Sequence, residues 1–191
     1  LRDPTTGQPY DATGYILPPL QIVPQCVPVD QRTDAGAYLF RLPVLSATEM
    51  HGEQRRTVVE RAAQAAALVQ GAPGPWVVWV NTNYEADAVA ALLPAAVEIR
   101  GNESATAKTA KLRAFTAGQI DCLITKPTIA GFGLNWQHAH QAVFMLSYSF
   151  AQPYHALPRM WRFRHRQPRP APLVVADPER QVPARSDRNT P

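Results

Sequence analysis

The sequence predicts an α/β fold, a mostly parallel sheet covered by helices on both faces, with irregular proline-rich ends. Three observations carry this. The stretches Trp76–Val80, Asp121–Thr125 and Ala142–Leu146 are short, largely apolar runs without polar alternation, as strands buried on both faces should be. Helix-type stretches fall between them, and alternating strand and helix is the pattern of a parallel sheet. Prolines concentrate at the ends: seven of the 19 lie in residues 1–43, four in 44–152 and eight in 153–191. Proline removes a backbone donor and resists regular interior structure, so the middle of the chain is the folded body.

Taken in order, residues 15–45 read as extended segments interrupted by proline. From Ala47 to Gln70 charged residues interleave with Val58, Val59, Ala62, Ala66 and Val69, which predicts one long helix. Gly71 through Pro75 ends it, as glycine and proline do after helix C-termini. Trp76–Val80 is a buried strand, and Tyr84–Leu93 is a helix stopped by Pro94. Val97–Arg100 is a short strand ending in a Gly101-Asn102 turn, and Ser104 caps a helix running to Thr116. Two buried strands follow, with a glycine loop between them, and Pro172–Ala176 has the composition of a further strand.

At 191 residues, 46% of them hydrophobic, the chain suits one domain with a real core. No apolar run approaches the roughly 20 residues of a membrane span. The polar start has no apolar signal region and no initiator methionine, so a piece of a longer cytoplasmic protein is expected. Cys26 and Cys122 fit no metal spacing and are expected to be buried free thiols. Net charge is +4, and Arg159, Arg162, Arg164, Arg166 and Arg169 crowd the region after the last apolar strand. Such crowding suits phosphate contact.

In parallel sheets ligands bind beyond the carboxyl ends of the strands, where Asn81, Arg100, Thr125, Lys126 and Ser147 fall. Arg159 and Arg162 stand three apart and share one helix face, so both guanidinium groups can meet a single anion. A solvated face is the plain alternative, but no acidic residue lies between 155 and 166 to pair with them. Gly131 and Gly133 allow close backbone approach of a ligand, or a tight connection needing positive φ. Thr125 and Lys126 suit a nucleic-acid phosphate, one by hydrogen bond and one by charge. Asn81 also reads as a structural strand end, and Arg100 as a surface arginine. Lys108, Lys111 and Arg113 read as a solvated face. His138 and His140 read as packing residues, and no metal site is expected.

The run Leu123–Asn135 followed by Arg159-Met-Trp-Arg162 resembles motifs V and VI of superfamily-two helicases, in particular Swi/Snf-like DEAD/DEAH-box helicases of phages and bacteria. The resemblance spans Gly14 to Phe163. It implies a three-layer RecA-like, P-loop NTPase-like domain forming the C-terminal lobe of an ATP-dependent DNA helicase or translocase. Residues 1–45 would enter from a first lobe and 46–166 would form the C-terminal lobe, while 167–191, rich in proline and charge, read as a disordered tail. Arg159 and Arg162 would be catalytic arginine fingers on the nucleotide's γ-phosphate. Gly131, Gly133, Asn135 and His155 would join them in binding ATP. Asn81, at a motif IV position, would contact the nucleic acid together with Arg100, Gly101, Thr125 and Lys126. The partners implied are DNA and the N-terminal lobe in cis, with Mg²⁺ held mainly by that lobe.

The chain departs from the family pattern in places. His155 stands where glutamine is usual, and Pro158 lies inside the expected motif VI helix. The pattern Gly-Gln after Phe163 is replaced by Arg164-His-Arg-Gln-Pro. No G-x-x-x-x-G-K-[ST] phosphate loop and no Asp-Glu box occur in the sequence, so the isolated chain is expected to hydrolyse no ATP. Two other readings stand beside this one. The first is a non-enzymatic nucleic-acid-binding module or decayed helicase remnant, and the second an unrelated Rossmann-type enzyme. The latter requires an early G-x-G-x-x-G, which the chain lacks.

Overall fold

The structure, a computed structural model, describes residues 20–28, 47–130, 136, 138–139, 141–145 and 169–176. Its elements are β1 (Leu20–Val27), α1 (Ala47–Arg56), α2 (Val58–Gly71), β2 (Trp76–Trp79) and α3 (Asn83–Leu92). There follow β3 (Val97–Glu98), α4 (Ala105–Thr116), β4 (Cys122–Thr125), β5 (Gln141–Met145) and β6 (Arg169–Ala176). The six strands form one sheet in the order β1-β6-β5-β2-β4-β3, and every pairing is parallel. All the carboxyl ends therefore share one edge.

The sheet is the middle of three layers, and strand alternation divides its side chains between two cores. Trp76, Val78 and Val80 point to one face, where Ala62, Ala65 and Ala66 of α2 and Ala86 and Val89 of α3 cover them. Small alanines let these two helices sit close to the sheet. Val77 and Trp79 point the other way, onto Phe115 of α4 with Leu123, Trp136 and Phe144. Trp79 lies 5.9 Å from the Trp136 ring, and Phe115 meets Trp136 edge-on at 5.3 Å, a geometry favoured by ring quadrupoles. The expected core residues Trp76, Trp79 and Met145 are all buried.

Local chemistry sets the element ends. Gly74 adopts φ 125°, left-handed backbone that glycine takes without strain, and turns the chain from α2 into β2. Gly118, at φ 72°, ends α4 in the same way. Ser104 caps α4 by accepting the Ala107 N–H at 3.2 Å.

Several expectations are corrected. The single helix over 47–70 is two, α1 and α2, meeting at Thr57 (φ −94°, ψ 12°). Backbone bonds continue through the joint, but the Thr57 hydroxyl also donates to the Glu53 carbonyl at 2.8 Å, a back-bond that bends helices. Cys26 is exposed, while Cys122 is buried. Val27 faces the α2 core, so its neighbour Cys26 points to the opposite face.

The sheet also reaches outside the expected body 46–166, because β1 lies within 1–45 and β6 within 167–191. These strands tolerate proline for a positional reason. Pro24 sits on the outermost strand, and Pro170 and Pro172 precede Leu173, where β6 first pairs with β5. Edges and strand starts are where a missing donor costs least.

Candidate nucleic-acid interface

The carboxyl edge of the sheet gathers the described candidates. β2 runs out at Asn81, β3 at Arg100, and β4 at Thr125 and Lys126. Asn81 closes a gap between strands: its Nδ2 donates to the Met145 carbonyl at the end of β5, 2.5 Å away. Behind it, the Glu85 carboxylate accepts the N–H groups of Asn81 (2.9 Å) and Thr82 (3.2 Å), while Thr82 Oγ1 accepts the Glu85 N–H at 3.3 Å. This reciprocal capping box satisfies the first donors of α3.

Glu85 is in turn paired with Arg61 of α2 at 2.8 Å, and the two side chains are 0% and 2% exposed. Sequence reasoning missed both residues. In the sequence Arg61 is only one of the charged residues interleaved along 47–70, yet it is buried between the bend at Thr57 and the small Ala62, Ala65 and Ala66. A readable signal existed for the other partner, since Thr82-Asn-Tyr-Glu85 is a capping-box spacing.

Lys126 reaches across to α3, where its Nζ donates to Asn83 Oδ1 at 2.7 Å on the solvent side. The ammonium therefore sits over the β2–α3 turn. Thr125 does not accompany it outward. It is 1% exposed, and its hydroxyl is buried without a hydrogen-bond partner among the described residues. A phosphate arriving from solvent meets Lys126 directly and reaches Thr125 only if the cover above it is displaced.

Arg100 is already engaged. Its guanidinium pairs with Glu98 at 2.8 Å and with Asp87 of α3, and these two carboxylates, Glu98 foremost, raise its pKa above the ordinary arginine value. The group carries net negative charge, which disfavours an incoming phosphate. Gly101 beside it has no atom within 4 Å of a would-be Cβ, although its carbonyl already accepts from Lys108.

Lys108 and Lys111 are not simply solvated. They donate to the carbonyls of Gly101 (2.5 Å) and Glu98 (2.7 Å), tying α4 back to the turn before it. Lys111 also pairs with Glu103 at 2.8 Å. Burial pushes the Glu103 carboxyl up, but Lys111 and the Arg100 N–H outweigh it and leave the pKa below its ordinary value.

The glycine loop is flanked by two fully buried residues, Ala130 and Trp136, both in the core on the α4 side. A turn bonded from the Ile129 and Ala130 N–H groups to the Lys126 carbonyl leads into it. His138 packs beside Phe115 with ring centroids 5.0 Å apart. Burial lowers its pKa, against a smaller opposing pull from the Phe115 carbonyl. Gly131, Gly133, Asn135, His140, Ser147, His155, Arg159 and Arg162 lie outside the described residues. Among the described residues no three His, Cys, Asp or Glu side chains converge on a metal position.

No protein-family model and no curated protein matches the sequence. Solved structures do match the fold. The C-terminal domain of the DEAD-box protein Dbp5 aligns with a TM-score of 0.51 at 19% identity, over 61% of this chain and 70% of that one. The yeast DEAD-box splicing factor Prp28 aligns with a TM-score of 0.58 at 15% identity, over 84% of this chain but 30% of its own length. An S. cerevisiae Dbp5 variant bound to Gle1 and IP6 gives 0.55 at 17% identity, over 63% of this chain and 33% of that one. The chain thus spans about a third of the two longer proteins. Its fold is therefore the three-layer, RecA-like α/β fold of the DEAD-box Dbp5 C-terminal domain.

Proposed function

We propose that the chain is the C-terminal lobe of an ATP-dependent superfamily-two DNA helicase or translocase. It supplies arginine fingers to a nucleotide site shared with a first lobe, and a surface for the nucleic-acid backbone. The observation that carries this is the parallel sheet itself, whose single carboxyl edge brings Asn81, Lys126 and Arg100 together in the fold of such lobes. Lys126 is the cation best placed for a backbone phosphate, and Asn81 sets the turn beneath it. In this reading Arg159 and Arg162 stabilise charge on the transferred phosphoryl group, a role worth roughly 10³–10⁵ in rate. Gly131, Gly133, Asn135 and His155 contact ATP. Mg²⁺ is assigned mainly to the first lobe.

Equilibrium binding of the chain to a labelled DNA oligonucleotide tests the reading, followed by fluorescence anisotropy between about 50 and 200 mM salt. The expected result is affinity that falls as salt rises, with no ATP hydrolysis by the isolated chain. Salt-independent binding, or ATPase activity from this chain alone, contradicts it. Salt-sensitive binding that stays blind to ATP beside an intact first lobe selects the non-enzymatic binding module instead.

A further inference from the structure

The buried Arg61–Glu85 pair is a charged group that no part of the nucleic-acid reading uses, and its contacts are specific. Arg61 makes three bonds: Nη1 to Glu85 Oε1 at 2.8 Å, Nη2 to the Gln54 carbonyl at 2.6 Å, and Nε to Thr57 Oγ1 at 3.2 Å. The guanidinium thus ties the bend between α1 and α2 to the first turn of α3. A second arginine acts from the same side, with Arg55 lying over the Tyr84 ring at 5.6 Å. Glu85 passes the constraint forward, because its other oxygen holds the Asn81 and Thr82 N–H groups. Asn83, which accepts from Lys126, is the next residue. One connected network therefore runs from Gln54 to Lys126.

A buried ion pair is weak evidence for stability, since an apolar pair of similar volume often does as well. A network that fixes one turn has another use, which is to hold a contact geometry. We propose that Arg61 is a positioning residue that acts through Glu85 to set the Asn81–Asn83 turn, and so the site of Lys126, for phosphate contact. This rests on the nucleic-acid reading of the edge.

The test uses the full chain in five forms: unaltered, Arg61→Met, Arg61→Met with Glu85→Gln, Lys126→Ala, and the paired substitution together with Lys126→Ala. The paired substitution removes both charges while keeping an amide oxygen for the Asn81 and Thr82 N–H groups, and is expected to melt above Arg61→Met alone, which strands a buried carboxylate. Well below melting, it should weaken oligonucleotide binding roughly tenfold in the unaltered background and not at all beside Lys126→Ala, the non-additivity of residues acting through one contact. Without nucleic acid, amide exchange at Asn81 and Thr82 should quicken. Equal losses in both backgrounds, or no loss in either, overturn the positioning role. A Lys126→Ala chain that binds like the unaltered one overturns the nucleic-acid reading of this corner and the role with it. Quickened exchange in that case still separates a structural brace from no brace.

Discussion

Lys126 Nζ donates to Asn83 Oδ1 at 2.7 Å, joining the end of β4 to the first residue of α3. The bond holds a cation at the carboxyl edge without neutralising it, because its acceptor is an amide. Lys111, by contrast, is paired with a carboxylate. Lys126→Ala should weaken DNA binding across sequences and reduce the steepness of the salt dependence by about one unit. Its effect on stability should stay within about 0.5 kcal/mol, as for other solvent-facing substitutions. Anisotropy at several salt concentrations, with a melt alongside, checks both parts.

Arg100 should behave differently. Its guanidinium is held by Glu98 and Asp87, so Arg100→Ala should change the salt slope less than Lys126→Ala does. The same titrations compare the two. A larger change at Arg100 would show that nucleic acid displaces the carboxylates.

Thr125 carries a buried hydroxyl without a partner among the described residues, and an apolar replacement of the same shape removes its desolvation cost. Thr125→Val should therefore leave the melting midpoint unchanged or raise it. If binding also weakens, the hydroxyl contacts phosphate once its cover has moved, and the site holds polarity at a cost in stability. A fall in the midpoint would show that the hydroxyl is satisfied within the fold.

His138 provides a pH dependence. Burial beside Phe115 holds its pKa below the ordinary 6.5, so the unfolded chain binds this proton more readily than the folded one. Stability from this residue is complete above about pH 6.5 and declines as pH falls below that value. Glu103 acts lower: its pKa is depressed from 4.5, so its contribution is lost only as pH falls below that value. In denaturant melts between pH 7 and 5 (about the histidine range), the unaltered chain should lose stability relative to His138→Phe as pH drops. Parallel curves would show that the ring is not protected.

Much of this architecture was legible from residue type. The continuous run Trp76–Val80 announces a strand covered on both faces, and Pro94 and Ser104 mark helix ends within a residue or two of where they lie. The bend at Thr57 was not legible, because a threonine back-bond leaves the helical periodicity on either side intact. The burial of Arg61 was hidden for a related reason. A charge on a helix reads as solvated unless its partner is known, and Glu85 is 24 residues away. Proline content made 167–191 read as a tail, although β6 needs proline-free backbone only where β5 joins it at Leu173. At the site, the order of strands placed Asn81, Arg100 and Lys126 on one edge. Which of them keeps its charge available depends on the carboxylates of α3 and β3, and no local pattern reports those.

Under the proposed function the chain completes a nucleotide site whose other wall belongs to a first lobe. DNA-stimulated ATP hydrolysis by the chain joined to a first lobe, measured with and without Arg162→Ala, tests it most directly. Turnover is expected to fall by roughly 10³-fold or more while ATP binding is retained. Turnover close to that of the unaltered protein would contradict it.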